Sequence, residues 1–465
     1  MNRKAIGAIA IATALTIPWI GSVASGAVGD FGTLTTVFVS GVAVLGASFL
    51  LTWGAETAEK DVPRAFAIAV LAVLAVAPEY AVDALYAWNA GAGGATAEAC
   101  AGLSPATIEA GETPLARACQ AANLAVANMT GANRILIGIG WAGIALFTVL
   151  RAGASEDEAV ERRSGPLADA VTLDRDLGLE IVFLLAATLW AFLVPLMGGI
   201  DVVDTLVLVG LYVAYIGVIL RSEHDPSEEH TGVPASLQRF PGPLRVTTVL
   251  VLFAYSGLLI FTAVEPFAHG LEDLGLQFGV PEFFMIQWIA PLASESPELI
   301  VVLVLVNKAR STAGFNALIS SKLNQWTLLI GTIAVVYSLG FGSYDVLPFD
   351  SKQRAEIWIT AAQSFFALAL IVDFSISVRE AVALFALFIS QVLLEFLVIR
   401  DLLVLPVSTT ELLLVYTGIY VVLGVGLLVA RRDAFVGILR QTRGVVRSAV
   451  AGPAEADAEV GPGDD

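Results

Sequence analysis

Apolar residues along this chain come in unbroken blocks, each about as long as the ~20 residues that carry a helix across a bilayer. The blocks lie near 5–25, 32–54, 64–88, 119–150, 178–197, 201–221, 244–268, 282–306, 312–340, 355–374, 379–399 and 410–430. They predict twelve spanning helices, with 119–150 read as one tilted or kinked helix. A membrane barrel would alternate apolar and polar residues instead. Polar residues collect in the segments 89–118, 151–177 and 222–243 and beyond 444. The first block follows Asn2-Arg3-Lys4 and precedes the small residues Ser22 to Ala27, as in a cleaved signal peptide. Its apolar stretch is slightly long for a signal core, so a retained helix is expected.

Composition agrees with the pattern. Of 465 residues 57% are apolar and 15% charged, with a mean hydropathy of +0.80. Soluble domains carry about 25% charged residues, so a water-soluble enzyme is excluded. So is a disordered chain, which needs low hydrophobicity and high charge. The expected fold class is an all-α polytopic membrane protein.

Net charge is −18, from 43 acidic and 25 basic residues. This excess suits aqueous faces that meet concentrated salt, and it argues against nucleic acid as a partner. The bases are unevenly placed. With the N-terminus inside, nineteen fall on the cytoplasmic side, among them Arg162, Arg163, Arg431, Arg432, Arg440 and Arg443. Arg117, Lys352, Arg354 and Arg400 fall outside, and Arg134 and Lys322 lie within spans. The positive-inside rule then predicts a multi-pass protein of the plasma membrane with both termini cytoplasmic. Cys100 and Cys119 share the outer end of the 89–118 segment, as a disulfide or as two free thiols. Neither forms a CxxC, and three histidines without helical spacing offer no zinc motif.

Two segments look alike. One reads Ala77-Pro78-Glu79-Tyr80-Ala81-Val82 and continues at Ala127-Asn128-Met129-Thr130-Gly131-Ala132-Asn133-Arg134. The other reads Ser294-Glu295-Ser296-Pro297-Glu298-Leu299, then Phe315-Asn316, Ser320-Ser321-Lys322-Leu323-Asn324. Each sets a Pro-Glu inside an apolar helix and an Asn-bearing stretch in the next, and the two Pro-Glu helices run in opposite directions. Inverted repeats whose broken helices meet at mid-membrane are the plan of secondary transporters. The implied organisation is an N-terminal helix (1–31), a first five-helix repeat (32–221), a cytoplasmic linker (222–243), a second repeat (244–399), an extra C-terminal helix (400–443) and a disordered tail (444–465).

These motifs resemble the two α-repeats of the sodium/calcium exchangers in the Ca²⁺/cation antiporter superfamily. The likeness covers the ten central helices in layout and a few tens of residues in motif. It implies Ca²⁺ bound alternately with Na⁺, with Glu79 and Glu298 as the central metal ligands and Asn128, Ser320 and Asn324 contributing. Departures bear on selectivity. Leu74-Ala75-Val76-Ala77 stands where small hydroxyl residues precede the first Pro-Glu, Ala132 replaces a serine, and the Asn-bearing helices carry Arg134 and Lys322 rather than a carboxylate.

A lone carboxylate deep in a span costs about 2.5–3.5 kcal/mol on insertion scales, so it persists only with a purpose or a partner. Each Pro-Glu glutamate has a second acid on its own helical face: Asp83 four residues after Glu79, and Glu295 three before Glu298. Four carboxylates in one cavity repel unless cations or protons share it, which is the condition for competitive exchange. Arg134 and Lys322 are equivalent if the repeats are anchored on Asn128 and Asn316, and separated if anchored on Asn133 and Asn324. Lining the cavity, they would be built-in charge compensators; otherwise they pair structurally or snorkel. Glu180, Asp201, Asp204, Glu265 and Glu356 are expected at the interfaces, and Asp373 and Glu395 as pairs or relays.

The function these residues predict is a secondary antiporter exchanging Ca²⁺ for Na⁺ by alternating access. The alternative is a proton-coupled Ca²⁺ or monovalent-cation antiporter. Its partners are inorganic cations and the lipid bilayer, with no resident cofactor. An intramembrane enzyme is not expected, because His224, His230 and His269 all fall in predicted loops and no HExxH is present.

Overall fold

The computed structural model of the chain describes residues 3–62, 64–151, 157–221, 232–280, 284–400, 402–403 and 406–451. Ten helices among them are long and apolar enough to cross a membrane, and one further pair does so as a single helix bent by 52°. They are α1 (Arg3–Ser25), α2 (Thr33–Ala58), α5 (Pro114–Arg151), α6 (Arg175–Leu196), α7 (Val202–Ile219), α8 (Gly242–Gln277), α11 (Ser311–Phe341), α12 (Ser351–Ile371), α13 (Val378–Ile399) and α14 (Thr409–Ala430). The bent pair is α9 (Gln287–Ser294) with α10 (Ser296–Asn307). The twelfth predicted block is α3 (Arg64–Ala75) and α4 (Ala77–Ala92), which break at Val76.

The helices form the inverted repeat: α2 to α7 make one five-span unit, α8 to α13 the other, with α1 and α14 outside them. Two small sheets bear out the relation. Strand β2 (Ala170–Thr172), between the third and fourth spans of the first unit, pairs with β5 (Ser375–Ser377), between the fourth and fifth of the second. β1 (Val160–Glu161) flanks β2. Strand β3 (Gly199–Ile200), between the fourth and fifth spans of the first unit, pairs with β4 (Leu347–Pro348), between the third and fourth of the second. Exchanging the units exchanges the two sheets. Each lies at a different end of the bundle, so the exchange is also an inversion.

Connections at each end confirm which loops share a face. At one, Arg310 and Lys308 pair with Glu56 at 2.8 and 2.6 Å, Arg151 bonds Asn307, and Arg431 bonds Asp373 and Glu380. This end carries most of the arginines. At the other, Asn123 bonds Asp350 at 3.0 Å, Tyr337 donates to the Ala95 carbonyl, and Arg400 bonds the Gly279 carbonyl. Cys100 and Cys119 form a disulfide there, closing a separation of 19 residues.

Close helix approach depends on small residues, as expected where burial from lipid gives no net hydrophobic drive. A Cβ on Gly131 would stand 2.1 Å from the Gln287 carbonyl oxygen, so α5 meets the backbone at the start of α9 only because that residue is glycine.

Three expectations change. Residues 444–451, placed in a disordered tail, continue a helix, α15 (Arg432–Ala451). Its apolar residues recur on one face, and Thr442 bonds the Gly178 carbonyl at the start of α6. The remainder of that tail, 452–465, lies outside the described residues, as does 222–231 of the linker, whose residues Gly232–Leu237 are helical. His269, placed in a loop, lies inside α8, which runs through Pro266; His224 and His230 lie outside the described residues. Glu180, Asp204 and Glu356 are buried rather than interfacial. Tyr215 donates to Glu180 at 3.0 Å, Trp190 to Asp204 at 2.8 Å, and Arg134 to Glu356.

Candidate functional site: the buried carboxylates

Both Pro-Glu motifs stand at the start of a half-helix. Pro78 occupies the first turn of α4 with Glu79 beside it, and Pro297 and Glu298 do the same in α10. Proline has no N–H to give the preceding turn, so it ends one helix and fits the first turn of the next. The break leaves each glutamate at a half-helix N-terminus, where the free N–H groups favour negative charge. Since α4 and α10 run oppositely, the two ends face the middle of the bundle from opposite sides.

Glu79 and Glu298 are 1% and 3% exposed, and Glu295 and Asp83 are fully buried. The Gln325 amide, on α11, donates to both Glu79 Oε2, at 3.2 Å, and Glu295 Oε1. It joins the two Pro-Glu breaks into one cluster. Tyr80 donates to Asn324 Oδ1 at 2.8 Å, and Asn128 donates to Asp83 Oδ1 at 2.9 Å. Ser320 lies one turn from Asn316, at 3.5 Å, and no bond joins it to a site carboxylate. Glu79 Oε1, Asp83 Oδ2, Glu295 Oε2 and both Glu298 oxygens have no donor in full hydrogen-bond geometry, although Glu295 approaches both Glu79 and Glu298, and Ser321 approaches Glu298. Unpaired buried carboxylate oxygens are costly, and oxygens so placed suit cations or protons. Among the described residues no three His, Cys, Asp or Glu side chains gather closely enough to hold a metal by themselves. A hard cation such as Ca²⁺, which takes 6–8 oxygens, would draw the others from amides, opened backbone and water.

The two bases part company. Lys322 Nζ donates to Asn133 Oδ1 at 2.7 Å and lies 4.3 Å from the centre of the Trp326 ring, within electrostatic reach of Glu295 and Glu79. Arg134 points the other way. Its guanidinium bonds Glu356 on α12 and Gln391 on α13 and covers Trp288 at 4.6 Å. Gln391 passes the contact on to Glu395 at 3.0 Å, which faces Lys352 at 3.8 Å. Arg134 therefore compensates Glu356, not the site carboxylates, because its position on α5 faces the second unit's last two helices.

Residues not singled out from sequence complete the site. Gln325 bridges the acids and Tyr80 anchors Asn324. The α5 and α11 helices widen into π turns at Leu136–Trp141 and Gln325–Leu329, just past the two bases. Such turns recur at functional sites, but no residue type announces them. A small cavity walled by α4, α5, α8 and α9 is lined by Glu79, Asn128, Glu265, His269 and Ser294.

Comparison with known proteins bears on the family and the fold. The family model described as sodium/calcium exchanger protein matches residues 114–221 and 248–397, more than half of the chain. A solved structure of the H⁺/Ca²⁺ exchanger CAX is 41% identical, covering 96% of this chain and 99% of that one, with a TM-score of 0.76. The sodium-calcium exchanger NCX_Mj, soaked with 2.5 mM Na⁺ and 10 mM Sr²⁺, shares the fold at 16% identity and a TM-score of 0.52, covering 78% of this chain and 99% of that one. No curated relative matches. The chain belongs to the sodium/calcium exchanger protein family, whose members are cation/Ca²⁺ antiporters and not enzymes.

Proposed function

We propose that this antiporter exchanges Ca²⁺ for protons across the plasma membrane, with its arginine-rich face and both termini cytoplasmic. Glu79 and Glu298 are the central Ca²⁺ ligands, Glu295 and Asp83 complete the charge, and Asn128 and Asn324 orient the acids through the bonds above. The observation that carries the reading is Lys322. A lysine held at Asn133, in reach of Glu295 and Glu79, already places a basic group where a sodium-coupled carrier needs room for cations. Protons need no coordination shell, so they can discharge the remaining carboxylates in the space that is left. The absence of hydroxyls before Pro78 and the alanine at 132 point the same way, and the 41%-identical CAX is an H⁺/Ca²⁺ exchanger. The distribution of Lys and Arg supports the orientation.

Half-helices with oppositely directed N-termini around one cluster suit alternating access. The first helices of the two units, α2 and α8, pack against each other across the Pro-Glu breaks, and their sliding would open the cluster to one side at a time. Radioactive calcium uptake into proteoliposomes tests the coupling, with an outward proton gradient, an outward Na⁺ gradient or neither. Uptake driven by the proton gradient without Na⁺ is expected. Uptake that needs Na⁺ and ignores the proton gradient would overturn proton coupling and leave Ca²⁺/Na⁺ exchange.

A further inference from the structure

Helix α15 begins where α14 leaves the membrane, yet it does not follow α14 into the water. Arg431 takes a non-helical backbone between the two, and α15 packs back on α6 and α7. Ile438 lies over Gly178, Thr442 donates to the Gly178 carbonyl, and Gln441 donates to the Arg175 carbonyl. These contacts all fall on the first residues of α6, so α15 runs across the arginine-rich end of the bundle. The spans beside it are at the perimeter, because α7 exposes Val213, and α14 exposes Val425 and Val429. Lipid therefore reaches the ends that α15 crosses.

The apolar stripe of α15 is wider than the protein that covers it. Ile438, Thr442 and Ala449 are buried, whereas Val436, Leu439 and Val450 are 41%, 38% and 75% exposed. At 3.6 residues per turn these last three share one edge of the helix with Arg432, Arg440, Arg443 and Arg447. All four arginines are exposed. The opposite edge carries Gly437, Gln441, Gly444 and Ser448 and no base. Local charge also reverses the sign of the whole chain: α15 has four arginines against one aspartate, Asp433, in a protein of net charge −18.

We propose that this edge of α15 docks on the anionic headgroups of the membrane surface, in the leaflet on the arginine-rich side. Val436, Leu439 and Val450 enter the boundary between headgroups and acyl chains, while the guanidiniums fork onto phosphate oxygens. Covering both needs a partner with an apolar layer beside a negative one, which a bilayer is. The acids that follow in the sequence, Glu455, Asp457, Glu459, Asp464 and Asp465, match the charge only, since the one branched apolar residue among them is Val460. The proposal uses the orientation above only to say which leaflet is met.

The test uses the full chain with a nitroxide on Leu439→Cys or, as a control on the opposite edge, on Ser448→Cys; both native cysteines are held in the disulfide. Proteoliposomes are made of phosphatidylcholine alone or mixed with phosphatidylglycerol, in both leaflets, so that the direction of insertion does not matter. Collision of the label with oxygen, which dissolves in acyl chains, is compared with collision with a water-soluble nickel chelate. In the mixed bilayer the label at position 439 should meet oxygen and be shielded from nickel, while the label at 448 stays in water. An arginine near an anionic surface shifts the ratio of docked to undocked helix about fivefold. Adding Arg440→Gln and Arg443→Gln should therefore lower that ratio about 25-fold, and about 1 M salt should also lower it. A label at 439 that stays in water in both bilayers would overturn the proposal. So would equal shielding in both, which removes any role for headgroup charge. Shielding without oxygen access would also refute it, and would mean that the acidic tail or a second copy of the chain covers the edge.

Discussion

Arg134 and Lys322 occupy almost the same place in the two repeats, two and three residues before their π turns, and both are fully buried. Yet Arg134 is locked between Glu356 and Gln391, while Lys322 rests on a neutral amide and an aromatic ring beside the carboxylates. Side-chain chemistry explains the split. A guanidinium is always charged and presents a planar fork, which suits a permanent pair across helices. An ammonium is a compact point charge on a flexible stem and changes its protonation more readily. One base fastens the units together, and the other rests on neutral partners beside the carboxylates.

The contrast is testable from its largest effect down. Removing Arg134 leaves Glu356 charged and buried, which costs about 3–5 kcal/mol. Arg134→Met should lower the melting temperature in detergent sharply, and adding Glu356→Gln should restore much of it. A melt unchanged by Arg134→Met would break the comparison from the structural side. Glu298→Gln should leave the melt near the wild type and reduce calcium uptake about 100-fold or more, since the reaction loses a central charge. Activity within a factor of two of wild type would remove the cluster as the site.

The repeats also differ where their second and third spans join. In the first unit residues 93–113 intervene and are tied by Cys100–Cys119, whereas in the second only 308–310 do. Reduction should lower stability by about 3 kcal/mol, the loop-closure value for this separation, without changing the calcium KM. A melt unchanged by reductant would show that the short helices there hold without it. The smallest effect belongs to Lys322. Lys322→Met should fold, because neither Asn133 nor Trp326 is left charged, and should weaken proton-driven uptake about tenfold. An equal loss of stability and transport would make Lys322 a second Arg134.

Spans, the two Pro-Glu breaks and four acids were legible because each has a local cause: apolar length, a missing N–H, a charge inside an apolar run. Asn128 and Asn324 were legible by resemblance, and they do contact the cluster's helices, whereas Ser320 does not bond to the acids. Gln325 was not legible, although it joins Glu79 to Glu295. A glutamine in an apolar helix has no charge to mark it, and its value comes from which helices cross there. Glu356 was misjudged as interfacial because distance from a span end does not show that Arg134, more than two hundred residues away, points at it.

The sequence by itself determined that this chain crosses a membrane many times, that its two halves are inverted, and that acids stand at the broken helices. Those features depend on transfer from water to hydrocarbon and on backbone chemistry, which act residue by residue. Only the tertiary structure decided which base meets which acid, that one amide bridges both repeats, and that His269 lines the same cavity as Glu79. Such contacts depend on how helices distant in sequence are rotated and spaced, and small residues such as Gly131 set that spacing through packing across the whole bundle.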